Sequence, residues 1–147
     1  QAPSKELAKR QAQLVIPAII KYGHSMAALD LKGELVYPNS GPGGGGAWGL
    51  RLTDSAKGVS LEWLCACLNS KILWNWLSVE GEYFQDSWRG IGKSLVDEIP
   101  IPIPAPRSHQ IVRQLVNDLV NDSYNCTFTE VLSQIEREVE KAYGVTG

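Results

Sequence analysis

The 147-residue sequence is poor in the side chains that carry most enzyme chemistry. Its two histidines, His24 and His109, signal no catalytic triad. Three cysteines give no metal pattern: Cys65 and Cys67 fall within one helical turn and point to different sides, Cys126 is remote, and no Cys or His cluster completes a tetrahedral set. All three read as small buried hydrophobes in a reducing compartment, which predicts a cytoplasmic protein. No signal-peptide pattern is visible, and no apolar run approaches the roughly 20 residues needed to cross a bilayer.

An excess of positive charge is also missing. Fourteen basic residues face sixteen acidic ones, for a net charge of −2. The balance is +2 over residues 1–46, −2 over 47–106 and −2 over 107–147. A free-standing duplex binder draws its affinity from Lys and Arg releasing counterions at phosphates. This balance therefore argues against strong autonomous DNA binding, and suits a module that reads bases while a linked partner supplies most of the electrostatic grip.

Several short motifs are imitations. Gly41-x-Gly43-x-x-Gly46 meets a dinucleotide fingerprint only because the stretch is nearly all glycine, and a strand, not a helix N-terminus, is expected after it. Gly92-Lys93-Ser94 resembles the tail of a phosphate loop, but the upstream glycine such a loop requires would fall at Ser87. Asp30-x-Lys32 reads as a turn, with Gly33 beside it. Asn125-Cys126-Thr127 spells a glycosylation sequon, yet Thr127 has a better use as a helix cap. No Asn/Asp-Pro-Pro-aromatic tetrapeptide is present. The chain is therefore expected not to be an enzyme, with neither a catalytic residue nor a metal or cofactor of its own.

With 44% hydrophobic residues, the chain has material for one core. Residues 14–53 have the texture of strands and turns. Leu14–Ile20 is a β-branched run in which Pro17 favours an edge or bulge, Ser25–Leu29 and Glu34–Tyr37 flank the turn at Asp30–Gly33, and Ala47–Leu52 is a further strand. Ser60–Ser78 is predicted as one central helix, with Leu61, Leu64, Leu68 and Ile72 on one face and Trp63, Cys67, Trp74 and Leu77 on another, buried on both sides. Tyr83–Gly92 is strand-like, and Ile99–Pro104 must be extended because each Pro drives its predecessor out of helical space. Two amphipathic helices follow as an antiparallel pair. Thr127 and Glu130 form a capping box for the second, Gly144 stops it, and Leu132 is expected on its core face, where Asp would unfold or detach the pair.

The order Leu68-Asn69-Ser70-Lys71, Tyr83-Phe84, then Ile99-Pro100-Ile101-Pro102-Ile103-Pro104 leading to a helix resembles the C-terminal specificity domain of TaqI-like restriction-modification methyltransferases. It is also similar to the specificity subunits of type I systems, in which the Pro-rich strand ends in Glu-Gln; here His109 stands before Gln110. The closing Ile135–Thr146, an acidic helix ending in a Tyr-Gly-hydrophobic-Thr step, is similar to the ending of these domains. The resemblance implies an α+β fold with a small mixed sheet, a buried central helix and a C-terminal antiparallel helix pair. It divides the chain into a linker, or a segment left where a longer chain was cut, at 1–13, a target-recognition domain at 14–106 and the helix pair at 107–147. It further implies double-stranded DNA as a partner, along with an upstream methyltransferase domain that holds S-adenosylmethionine and modifies adenine, with or without a fused nuclease.

Two segments are candidates for reading DNA. The first is Gln85, Asp86, Trp88, Arg89, Lys93 and Ser94, where Arg89 offers a guanidinium fork for guanine O6 and N7, while amide and carboxylate groups suit adenine and cytosine. An ordinary solvated hairpin with Trp88 half in the core accounts for the same residues. The second surrounds the glycine loop: Asn39, Ser40, Trp48 and Arg51, with Gly44 and Gly45 allowing close passage of a phosphate backbone. Lys71 either covers apolar surface with its stem or meets a phosphate, and Asn69 and Ser70 are expected to fix the helix against the sheet. The rival readings are a protein-interaction module that docks another subunit through the Trp-rich surface and helix pair, and a nucleotide-binding enzyme using the glycine loop.

Overall fold

The computed structural model describes residues 12–21, 26–34, 46–53, 55–85 and 88–144, with the backbone alone at 84 and 85. The expected strand at Glu34–Tyr37 lies almost wholly outside these residues. So do Asn39, Ser40, Gly44, Gly45 and Asp86.

The fold is α+β, as the sequence predicts. The strands are β1 (Gln13–Pro17), β2 (Ile19–Lys21), β3 (Ala28–Asp30), β4 (Ala47–Leu50), β5 (Glu82–Gln85) and β6 (Trp88–Gly90). Instead of one mixed sheet, they form two antiparallel sheets of three strands, ordered β3-β1-β4 and β2-β6-β5. The reason lies in the run Leu14–Ile20. It is continuous in sequence but changes sheet at Ala18, immediately after Pro17. Pairing with β3 ends at Val15 while pairing with β4 continues to Pro17, so the missing N–H of Pro17 faces a side that β3 has already left. The turn at Asp30–Gly33 is local chemistry: Gly33 N–H donates to Asp30 O, Glu34 N–H donates to Asp30 Oδ1, and Gly33 takes a φ of 65°.

The predicted helix at Ser60–Ser78 is two helices, α1 (Leu61–Leu68) and α2 (Lys71–Glu80). Apolar spacing runs through the break, so periodicity does not reveal it. The polar pair does. Ser70 Oγ accepts from Leu73 N–H as the cap of α2, as Ser60 Oγ does from Trp63 N–H for α1. Asn69 bonds away from the helices: its Oδ1 accepts from the N–H groups of Met26 and Ala27, and its Nδ2 donates to the carbonyls of Ala27 and Cys65. The expected role of Asn69 and Ser70, fastening helix to sheet, is thus met by a junction between helices.

Because of this break, α1 alone is buried on two sides. Leu61 and Leu68 join Leu14, Ile16, Met26, Leu73, Trp74 and Leu77 in a core beneath the sheets. Trp63, Ala66 and Cys67 face a second core, made with α4 (Pro106–Val120) and α5 (Phe128–Ala142). Trp74 and Leu77, expected beside Trp63, lie instead in the first core. After β6 comes α3 (Lys93–Glu98), which sequence periodicity does not announce and whose Leu95 and Val96 pack on the first core, and then the extended Pro-rich segment. Prolines there cannot donate, but their carbonyls still need partners. Trp63 Nε1–H supplies Pro102 O at 2.9 Å, and Tyr143 Oη–H supplies Pro100 O at 2.6 Å, tying the segment to α1 and to the end of α5.

The helix pair closes as expected, with the reciprocal Thr127–Glu130 capping box and Gly144 at φ 80°. Ser108, near the start of α4, bonds Glu138, near the end of α5, as an antiparallel arrangement requires. Leu132 departs from expectation. Val131, Ile135 and Val139 fill the core, while Leu132 is 44% exposed. Leu132→Asp is therefore expected to change stability by about 0.5 kcal/mol or less in dilute protein, as surface substitutions usually do. Val131→Asp should unfold the domain by burying an unpaired charge. Urea denaturation of the two variants checks the assignment, and a severe loss for Leu132→Asp would contradict it. Cys126 is likewise exposed, not buried. Burial pushes the Cys65 thiol up to about 11 and the Cys67 thiol up to about 12, so neither forms a thiolate readily.

Candidate nucleic-acid interface

The two segments singled out for DNA reading converge on one residue. Ala18 N–H donates to Gly46 O at 3.1 Å, where the glycine loop ends. Ile91 N–H donates to Ala18 O at 2.7 Å, where the β5–β6 hairpin exits. Trp48 closes the seam, because its Nε1–H donates to Ile91 O at 2.8 Å. The start of the glycine-loop strand and the entry to α3, which carries Lys93 and Ser94, are therefore neighbours at the point where β1 becomes β2. Trp48 is half-buried here and acts as the bracket between the two sheets.

Other candidates lie to either side of this seam. Arg51 follows β4, with Nη2 at 3.5 Å from Gln13 Oε1 at the start of β1. Trp88 pairs with Lys21 at the end of β2. From Gln13 to Lys21 is eight residues, at most about 27 Å of extended chain. That is the rise of roughly eight base pairs of duplex. Arg51, Gly46, Lys93 and Trp88 thus follow one another beside the β1–β2 run, which bends at Ala18.

Strand alternation separates Trp88 from Arg89. Trp88 shares its sheet face with Lys21, whose Nζ lies 5.7 Å from the ring centroid, and both are exposed. Sequence reasoning did not select Lys21; its signal is visible only once the β2–β6 register is known. Arg89 points to the opposite face, with Ile20 and Tyr83. Its Nε donates to Ser78 O at 3.2 Å near the end of α2, one Nη donates to Trp88 O at 2.9 Å, and its guanidinium lies 5.2 Å from the Tyr83 ring. The fork expected to read guanine is largely committed to holding α2 against the hairpin. Gly81 accommodates the same close approach, since a Cβ there would sit 2.6 Å from Leu77 O and 3.1 Å from Arg89 Cβ. Gln85 pairs with Trp88 across the hairpin.

Lys93 makes an exposed ion pair with Asp97 at 3.2 Å. Such a pair is worth little in water and gives way easily to a phosphate. Lys71 is not beside that run. It opens α2 beside α5, where its backbone N–H approaches both Glu136 carboxylate oxygens at 3.3 and 3.4 Å. Burial raises the Glu136 carboxyl above the usual range, and that hydrogen bond opposes the shift. On the same side of the molecule, a groove of about 720 Å³ opens between α1 and the helix pair.

His109 also has a structural setting. Its Nε2 lies 2.8 Å from Ser60 Oγ, its ring meets Trp63 edge-on at 6.3 Å, and burial together with nearby Arg113 lowers its pKa. The pair fastens α4 to the cap of α1. Among the described residues, no group of three His, Cys, Asp or Glu side chains could hold a metal ion, and no helix is long and apolar enough to cross a membrane. No protein-family model matches the chain, and no curated protein matches it significantly.

Proposed function

We propose that this chain is the non-catalytic duplex DNA recognition module of a restriction-modification methyltransferase, of type IIG or type I-like organisation. The single observation that carries the reading is the meeting at Ala18 of the glycine-loop end and the hairpin exit, two segments chosen independently for their base- and phosphate-contacting residues. Lys93, Ser94, Arg51, Trp88 and Lys21 would contact DNA along the β1–β2 line, with Asn39, Ser40, Gly44, Gly45, Gln85 and Asp86 joining from the adjoining loops. Arg89 and Trp48 would position these elements. The Leu-Asn-Ser-Lys step and the Ile-Pro exit support membership of a target-recognition family. On this reading the partner is a methyltransferase domain of the same cytoplasmic enzyme, which binds S-adenosylmethionine and supplies most of the charge contacts. The fragment alone should transfer no methyl group.

The groove beside the helix pair favours a second reading, a protein-interaction module that never touches DNA. Titrating the chain into labelled duplex at several salt concentrations separates the two. Lys93→Ala should weaken binding to all sequences alike and lower the salt slope by about one unit, as loss of one phosphate contact does. Arg89→Ala should lower the melting temperature instead. Binding that is absent even at low salt would favour the protein-interaction reading.

A further inference from the structure

We infer that the groove between α1 and the C-terminal helix pair is the interface of a homodimer, into which a second copy of this chain presents the same groove about a twofold axis. The floor includes Leu29, Ala66 and Val116. Val120 and Leu132 line it while 50% and 44% exposed, and Phe128, one turn before Leu132, is 56% exposed. These are large apolar side chains grouped at one end of the helix pair, and the core beneath them is already filled by Val131, Ile135 and Val139.

The charges of the groove suit a second copy. The groove carries two cations, Lys71 and Arg137, and two anions, Glu136 and Glu140. The ion pairs among the described residues join Lys93 to Asp97, Arg113 to Glu62 and Lys141 to Glu138, and none uses these four side chains. A strongly acidic or strongly basic partner would meet as many like charges as opposite ones. A copy of the groove would not, because a twofold axis lets each Arg137 face an anion of the other copy while that copy's Arg137 does the same in return. The net charge of −2 is too small to keep two copies apart.

Sedimentation equilibrium of the chain at low salt, without DNA, from micromolar to millimolar concentration, tests the inference. A monomer–dimer equilibrium is expected. Leu132→Asp should weaken it by about a hundredfold or more, as loss of an interface anchor does, with the circular dichroism spectrum unchanged. Arg137→Glu and Glu140→Arg should each weaken the dimer, and the doubly reversed chain should regain it. A monomer at every concentration overturns the inference, as does a dimer indifferent to Leu132→Asp or a double reversal that stays dissociated. With DNA absent, the result stands apart from any test of DNA recognition.

Discussion

Trp63→Ala is expected to destabilise the domain by about 3–5 kcal/mol, the range for emptying a large aromatic site in a packed core. Trp63 is fully buried and stands where α1, the helix pair and the Pro-rich segment meet. Removing it opens a cavity beside Val112 and Val139, withdraws the edge contact to His109, and leaves Pro102 O without its indole donor. Since small domains have only about 5–15 kcal/mol in total, much of the margin would be lost. Trp63→Phe should recover part of the packing but not the hydrogen bond, and should fall between the two. Chemical denaturation of the three proteins gives the order, and equal stability of the Ala and parent chains would mean that the second core does not hold the fold together.

Asn69→Ala has the second-largest expected effect. Five hydrogen bonds converge on one side-chain amide, two accepted and three donated, the last a long one to Cys65 Sγ, linking α1 to the strand-entry residues Met26 and Ala27. A buried polar group left unpaired costs about 1–3 kcal/mol. Both Met26 and Ala27 are nearly inaccessible to water, so the loss should total about 2–4 kcal/mol, allowing some relaxation. Asn69→Asp sharpens the test. Its Oδ1 can still accept from the two N–H groups, but the donor to Ala27 O and Cys65 O is gone and the second carboxylate oxygen now faces both carbonyls. Destabilisation that grows as pH rises through the carboxylate range is expected for the Asp variant, because the ionised form suits this site least. An Asp variant as stable as the parent at neutral pH would show that the amide does not clamp the junction.

What could be read from sequence divides along a physical line. Features set by neighbouring residues were legible: the capping box at Thr127, the stop at Gly144 and the turn at Asp30–Gly33. Features that depend on which neighbour covers a face were not. Apolar spacing from Leu61 to Leu77 is continuous, yet Asn69 and Ser70 satisfy their polar atoms by ending one helix and starting another. Leu132 has the spacing of a core residue on α5, but the partner helix covers only the arc through Val131, Ile135 and Val139. The seam at Ala18 was equally hidden. It depends on a strand run that changes sheet, and it brings Gly46 and Ile91 together across 44 residues of intervening sequence. Arg89 had the chemistry of a base reader in sequence, and only the strand register reveals that it turns toward Ser78 O while Trp88 and Lys21 share the outer face.

Whether this chain reads base sequence is tested most directly by selection from a pool of random duplexes, followed by sequencing. Retention by the immobilised chain at low salt should enrich one short sequence, with a footprint no longer than about eight base pairs, set by the β1–β2 run. Lys93→Ala should lower the retained amount while enriching the same sequence. Retention without enrichment, or no retention at salt concentrations low enough for any phosphate contact to count, would contradict the account.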